Sequence, residues 1–284
     1  MKKALFLYFT GTYHTKALVD SFCEELKTHG IESDAVPVLE VDAFLPLHGY
    51  DYIFFSYPIY AFQAPQPFLA YLKKLTFPKE SIYYVIKQSG EPFPLNNSSS
   101  HPIAKILKKQ RIELRGEFHF LYPYNILFAY SPEWKERIAA YDVRLLPYAV
   151  NKVINKEEHH LPYTAFTYGT AHFISFLERF GAKIDGPLFH VQKKKCTKCG
   201  LCLRSCPKHN IKNKNGYPKF SSHCVLCMRC AYRCPNDAIH IGILNPIRVN
   251  RSTAPKNSLL TRKFFQAYEK KLRTLEAELK SAGK

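Results

Sequence analysis

Eight of the chain's nine cysteines fall within one short stretch, and they repeat. The first block reads Cys196-x2-Cys199-x2-Cys202-x3-Cys206-Pro207, and the second reads Cys224-x2-Cys227-x2-Cys230-x3-Cys234-Pro235. Each cysteine of the second block lies 28 residues after its counterpart in the first. Ile211 and Ile239 each follow the last cysteine of their block by five residues, so the duplication extends past the sulfur ligands. Three cysteines at x2 intervals wrap a tight turn around one face of a [4Fe–4S] cubane, and the fourth, just before proline, reaches across to a second cluster. The spacing therefore assigns Cys196, Cys199, Cys202 and Cys234 to one cluster and Cys224, Cys227, Cys230 and Cys206 to the other. Proline turns the chain where no amide N–H is supplied, and Gly200 gives the first block the freedom for a tight turn. Zinc is the competing reading. A tetrahedral zinc site draws on two C-x2-C pairs, whereas here four closely spaced cysteines occur twice over. Cys23, the ninth, sits in an amphipathic helical stretch and reads as a small packing residue.

The elements that must carry this chemistry begin at the N-terminus. Ala4–Phe9 is a continuous apolar run, as in a strand buried on both faces. Thr10-Gly11-Thr12-Tyr13-His14-Thr15 follows, and Ala17, Leu18, Phe22 and Leu26 then keep a helical spacing up to Gly30. Strand, hydroxyl-rich turn and helix together make an anion site suited to a phosphate monoester, because a helix N-terminus presents free N–H groups. The bland alternative is a capped turn without ligand. Further strands are expected at Ser33–Val38, Tyr52–Tyr57, Ile82–Gln88 and about Phe118–Tyr124, with helices near Pro67–Leu75, Pro102–Gln110 and Pro132–Asn155. The alternation predicts a doubly wound parallel sheet, whose ligands bind beyond the carboxyl ends of the strands. Two more segments land at that edge: Pro58-Ile59-Tyr60-Ala61-Phe62 after the third strand and Ser89-Gly90-Glu91 after the fourth.

On these motifs the chain resembles the flavodoxin–ferredoxin fusion proteins of anaerobic bacteria. The phosphate loop of that family reads close to F-S-G-T-G-N-T; here it is Phe9-Thr10-Gly11-Thr12-Tyr13-His14-Thr15, with Tyr13 in place of glycine and His14 in place of asparagine. The cysteine repeat, over roughly residues 189–243, resembles the two-cluster ferredoxins. The resemblance implies an α/β fold with a flavodoxin-like, doubly wound, five-stranded parallel sheet, followed by a small α+β module with two [4Fe–4S] clusters. It also implies FMN, its phosphate at Thr10 to Thr15, its ring and ring edge at Pro58 to Phe62 and Ser89 to Glu91, with Tyr60 stacking and Phe62 as second choice. The expected divisions are a flavodoxin-like FMN-binding domain over 1–160, a helical linker over 161–188, the ferredoxin domain over 189–246 and a C-terminal amphipathic helix over 247–284.

Two apolar stretches remain. Tyr141, Leu145, Tyr148 and Val150 form one helical face, and Phe166, Phe173, Leu177 and Phe180 another. Such stripes usually face a core, so both are expected to glue the ferredoxin module to the sheet, with a quinone or substrate pocket as the alternative. Gly181 and Gly186-Pro187 are expected to mark the boundary. In the tail, Leu260, Phe264, Tyr268, Leu272, Leu275 and Leu279 form a helical stripe, opposite Lys270, Lys271 and Arg273. Packing on the chain's own domains is expected there, with a homodimer contact next and a membrane-surface helix diluted by Glu276 and Glu278.

The formal net charge is +18. A nucleic-acid binder would fit that charge, but no reading helix or RNA module accompanies it. Lys and Arg that merely keep the surface wet are the bland reading and a docking face for an acidic redox partner a third; Lys193–Lys195, beside the first cysteine block, reads as such a docking patch or as solvated surface. Ala4–Phe9 is too short for a secretory segment and no run of about 18 apolar residues occurs, so the chain is expected in the cytoplasm without a membrane span. Nine cysteines without an export signal speak for metal or redox chemistry over disulfides. No Ser-His-Asp order, P-loop or dinucleotide G-x-G-x-x-G is present, and His14, Tyr57 and Tyr60 lie near the expected site without an assigned catalytic role. Clusters move one electron and a flavin one or two, so the expected function is an iron–sulfur flavoprotein. It would pass electrons between an external low-potential donor, two clusters and FMN, to a small substrate or, alternatively, to a partner enzyme.

Overall fold

Apolar strands and amphipathic helices alternate along the N-terminal half, and the computed structural model, which describes residues 1–40, 46–249 and 259–282, assembles them into one sheet. The strands are β1 (Lys2–Tyr8), β2 (Ile31–Pro37), β3 (Tyr52–Pro58), β4 (Ile82–Ser89) and β5 (Leu114–Leu121). All pair in parallel, in the order β2-β1-β3-β4-β5. That order is the flavodoxin-like doubly wound arrangement, with its switch point between β1 and β3. The expected strands are all present. β5 begins at Leu114, four residues before the expected start, because its first half, Leu114-Arg115-Gly116-Glu117, is no apolar run even though Gly116 and Glu117 are buried.

Alternate residues of β1 feed opposite cores. Ala4, Phe6 and Tyr8 face the side covered by α1 (His14–Thr28), while Leu5, Leu7 and Phe9 face α2 (Gln66–Leu72) and α3 (His101–Lys109). Phe54 and Phe55 on β3 do the same and are both fully buried; each contributes about 2–3 kcal/mol by leaving water. Cys23 packs half-buried against the first of these cores.

The long helix α4 (Pro132–Ile154) starts on a Ser131 N-cap and buries Tyr141, Leu145, Val150 and Val153 against α1 and the sheet. The tail then returns to this layer. In α8 (Leu259–Ala282), Tyr268 and Leu272 are fully buried in the same core, and Phe265 stacks on Trp134 at 4.7 Å. Arg137–Glu269 and Arg144–Glu276 ion pairs lace α4 to α8. The tail's apolar face is therefore consumed by the chain's own core; the Leu260 side chain, and residues 250–258 and 283–284 of the expected tail, lie outside the described residues.

Between the two cores and the cysteines runs α5 (Ala165–Asp185), opened by a Thr164–Thr167 capping box. Here the expectation is overturned. Phe166, Phe173, Leu177 and Phe180 do not glue the module to the sheet: they are 80%, 62%, 50% and 60% exposed. α5 instead packs through small residues, with Ala171, Ser175 and Ala182 buried. Gly181 lies inside α5 and marks no boundary; Gly186 and Pro187 form the 3-10 turn that ends it.

The C-terminal module is a duplicated unit. It contains β6 (Phe189–Val191), α6 (Leu201–Arg204), β7 (Ile211–Lys214), β8 (Tyr217–Phe220), α7 (Arg229–Tyr232) and β9 (Ile239–Ile241). β6 pairs antiparallel with β9, and β7 with β8 around Gly216. Tyr217 and Pro218 belong to β8.

Candidate functional site at the sheet edge and the cysteine repeat

The cysteine blocks repeat in backbone as well as in sequence. Lys198 and Leu226 have φ of 58° and 50°, Gly200 and Met228 have 72° and 57°, and His209 and Asp237 have 48° and 47°. Each pair is 28 residues apart. The left-handed residues curl the chain so that amides point at sulfur. Lys198 N–H and Leu226 N–H each donate to the Sγ two residues earlier at 3.4 Å, while Asn210 N–H and Ala238 N–H donate to Cys206 and Cys234 Sγ at 3.3 Å. Donors of this kind stabilise thiolates and tune cluster potentials.

The eight sulfurs separate into two groups. Cys196, Cys199, Cys202 and Cys234 line one cavity; Cys206, Cys224, Cys227 and Cys230 line the other. In each set the fourth cysteine comes from the opposite block. Sulfurs set around a cavity suit a polynuclear cluster better than a single zinc.

The sheet's carboxyl edge forms a third cavity, of about 480 Å3. It is lined by Thr10, Gly11, Thr12, His14 and Thr15, by Pro58 through Phe62, and by Ser89 through Glu91. Three loops far apart in sequence thus meet because β1, β3 and β4 are adjacent and parallel. Tyr13 is the exception. It takes the left-handed N-cap position of α1 with φ 69°, leaves its ring 51% exposed and lies beneath the Arg233 guanidinium at 4.2 Å. A glycine is the usual occupant of such a backbone position. Tyr57 is also outside the cavity, buried on the α2 side with its hydroxyl 3.3 Å from Ser99.

Local bonding holds each loop. Thr12 Oγ1 accepts from Asn125 Nδ2 at 3.1 Å and meets His14 Nδ1 at 3.1 Å, and the His14 ring stacks on Tyr122 at 3.6 Å. Burial lowers the His14 pKa to about 4, so this imidazole is neutral at pH 7. Tyr60 and Gln63 exchange backbone bonds across a tight turn in which Ala61 and Phe62 have positive φ. The Glu91 carboxyl is buried, accepts from Tyr124 Oη and from Asn96 Nδ2, and is pushed above the usual carboxylate range by burial. Behind these loops lies a pair invisible to the sequence, Lys87 Nζ 2.5 Å from Glu117 Oε2, both buried within the sheet.

Among the described residues, four polar atoms around this cavity are buried without a partner: Thr10 Oγ1, Gln63 Nε2, Gln88 Oε1 and Asn96 Oδ1. Buried polar groups are ordinarily paired, so the cavity is built for a ligand with both donors and acceptors. A phosphate-bearing flavin has such groups, and the phosphate would meet the uncapped N-terminus of α1.

The cysteine module forms one wall of this cavity. Cys224 and Cys227 line it as well as the second sulfur cavity. At Gly11 an added Cβ would come within 2.4 Å of the Cys227 carbonyl oxygen and 2.5 Å of Tyr60 Oη, so only glycine permits this approach. Arg229 clamps the two parts. It is 1% exposed, donates from Nε and Nη2 to Thr10 O at 3.0 and 2.6 Å and from Nη1 to Ser205 O at 3.3 Å, and lies over Phe9. Glu40 faces both Arg229 and Arg233, at 3.3 and 3.0 Å. Sequence reasoning missed Arg229, since nothing local distinguishes one arginine inside a basic module.

Residues 195–239 match the family described as the 4Fe-4S dicluster domain. An uncharacterized ferredoxin of Methanocaldococcus jannaschii is 39% identical over 61 residues, which cover 20% of this chain and 79% of that protein. Through this module the chain belongs to the ferredoxins. The rest of the chain is a flavodoxin-like domain by its strand order. Among solved structures, rubredoxin:oxygen oxidoreductase of Desulfovibrio gigas is 12% identical, with a TM-score of 0.35, over 53% of this chain and 36% of its own, so the chain spans about a third of that protein. Oxidised flavodoxin 1 of Bacillus cereus is 10% identical, with a TM-score of 0.37, over 50% of this chain and 95% of its own. Among the described residues no helix is long and apolar enough to cross a membrane. The chain thus joins an iron–sulfur ferredoxin module behind a domain of flavodoxin-like fold.

Proposed function

We propose that this ferredoxin fusion holds two [4Fe–4S] clusters and one FMN, and carries electrons between an external low-potential donor, the clusters and the flavin, for delivery to a small acceptor. Cys196, Cys199, Cys202 and Cys234 would hold one cluster, and Cys206, Cys224, Cys227 and Cys230 the other. FMN would lie in the sheet-edge cavity, its phosphate at Thr10–Thr12 and Thr15 and its ring between the Pro58–Phe62 and Ser89–Glu91 loops. The observation that carries this reading is the shared wall: Cys224 and Cys227 belong to both cavities, so no intervening layer of protein separates the two.

Clusters supply single electrons and a flavin accepts one or two; the chain's residues supply the geometry. Amide donors to sulfur hold the thiolates, and left-handed turns present them. Gly11 and Arg229 bring the module against the phosphate loop. His14 offers a ring N–H toward the phosphate, beside the helix N-terminus as the main anion-binding element.

Delivery to a partner enzyme is the second reading, and charge favours it. Residues 189–246 contain eleven Lys and Arg against Asp237 alone. Two oxidised clusters would add about −2 each, leaving a basic face suited to an acidic redox partner.

Anaerobic purification with measurement of iron, sulfide and released flavin tests the proposal. About eight irons and one FMN per chain, with flavin bleaching when a low-potential reductant is titrated in, is the expected result. Eight irons in a protein that refuses added FMN would overturn the flavin assignment and leave a ferredoxin on a repurposed fold. Turnover of small acceptors alone, against turnover only with a partner, separates the two deliveries.

A further inference from the structure

The amphipathicity of α5 is inverted. Its small residues Ala171, Ser175 and Ala182 face the protein, while Phe166, Phe173, Phe176, Leu177, Phe180 and Ile184 lie on the outer side, each between 50% and 80% exposed. Leu188 and Ile243, 47% and 67% exposed, prolong this apolar surface toward the ferredoxin module. A helix that packed only on its own domain would place these groups inward.

We propose that the outer face of α5 is the contact between two copies of this chain, crossed antiparallel about a twofold axis. The area fits. With a phenylalanine offering about 200 Å2 when fully exposed, the six residues present about 700 Å2 and the extended surface about 900 Å2. A stable interface buries about 800 Å2 per partner, and the largest apolar patch of an ordinary monomer is about 300–600 Å2.

Charge selects the occupant and the direction. The first thirteen residues of α5, Ala165 to Leu177, contain no Asp, Glu, Lys or Arg, and the remainder carries Glu178 and Asp185 against Arg179 and Lys183. A helix of zero net charge lacks the basic face that an anionic lipid surface attracts. A self-complementary twofold contact needs no such excess. Antiparallel crossing also sets the uncharged half of one helix against the charged half of the other. Because α5 leads directly into the basic module, it keeps the two modules at opposite ends, where a parallel crossing would bring like charges together.

Gly169 sits on this face between Phe166 and Phe173. A Cβ there would meet nothing within 4 Å, so neither internal packing nor backbone conformation calls for glycine. Glycine within a helix weakens it relative to alanine; its use here allows a second helix to approach closely. The inner side of the same helix lines the sheet-edge cavity through Ser175, Arg179 and Ala182, so self-association would brace that wall. The inference stands whether or not the cavity takes flavin.

Sedimentation velocity on the full-length holoprotein, from low to high micromolar concentration, tests it. The expected mass is twice the 32.9 kDa of one chain, insensitive to moderate salt, and the double variant Phe173→Gln/Phe180→Gln should sediment as a monomer with an unchanged cluster spectrum. Both side chains are exposed, so the variant's fold is checked by that spectrum. A wild-type monomer throughout the range overturns the proposal, as does a dimer that persists in the variant. Monomeric protein that pellets with phosphatidylserine vesicles, and loses this in the variant, overturns it in favour of a lipid surface.

Discussion

Replacing Arg229 with methionine should loosen the ferredoxin module from the phosphate loop. The guanidinium makes two bonds to Thr10 O and one to Ser205 O, at 3.0, 2.6 and 3.3 Å, in a site where the side chain is 1% exposed. Hydrogen bonds to a charged group are worth about 1.5–3 kcal/mol each, but bonds sharing one donor group do not add. Breaking a buried charged pair from one side costs about 3–5 kcal/mol. Methionine keeps most of the stem's packing on Phe9, and Glu40 retains Arg233 at 3.0 Å with 32% of its side chain in water. The lower end, about 3 kcal/mol, is therefore expected, or roughly a 150-fold rise in the opening equilibrium. Native-state hydrogen exchange of the holoprotein, read at amides of Thr10–Thr15 and Leu226–Tyr232, measures that opening directly. Arg229→Lys should fall between the two, since the charge remains and the bidentate fork is lost. Exchange in the methionine variant within about fivefold of wild type, near 1 kcal/mol, would refute the reasoning and show that the module docks without the clamp.

Gly11→Ala should cost about 1–3 kcal/mol by overpacking, because its Cβ would sit 2.4 Å from the Cys227 carbonyl oxygen; released flavin per chain should fall while iron content holds. Lys87→Met leaves the Glu117 carboxylate buried with Ser100 Oγ and Leu161 N–H as its remaining donors among the described residues, so a loss of about 3–5 kcal/mol is expected. Adding Glu117→Leu should recover part of that loss, and a double-mutant cycle from thermal unfolding checks it. His14 and His119 should titrate near pH 4 and pH 3 by NMR, lowered by burial and, for His119, by the Lys87 charge as well. Both folded pKa values lie below the unfolded value of about 6.5, so these imidazoles contribute stability that is fully present above pH 6.5. That contribution is lost as pH falls toward 4, by about 1.4 kcal/mol per pH unit for each ring.

The chemistry of this protein was legible where ligands and local geometry lie close together in sequence. The cysteine repeat needed no tertiary knowledge: its spacing alone points to the 4Fe-4S dicluster family that residues 195–239 match, and the two cysteine sets it suggests each line one cavity. The sheet was legible for a related reason, since strands buried on both faces must be continuously apolar, as Leu5–Phe9 and Ile53–Phe55 are. The strand order, by contrast, is a matter of which edges pair; alternation placed the Thr10, Tyr60 and Gly90 loops at one sheet edge, and the assembled sheet closes them around one cavity with the cysteine module as a wall. Tyr13 turned away from that cavity because its left-handed N-cap backbone directs the ring toward Arg233. Periodicity also found the apolar face of α5 but not its direction. An amphipathic stripe states that a face must be covered and not by what, and here small residues took the inside while the phenylalanines were left for another surface. Arg229 and the Lys87–Glu117 pair belong to tertiary structure entirely: their partners lie from 24 to 219 and 30 residues away, and a buried charge is recognisable only by the groups that surround it.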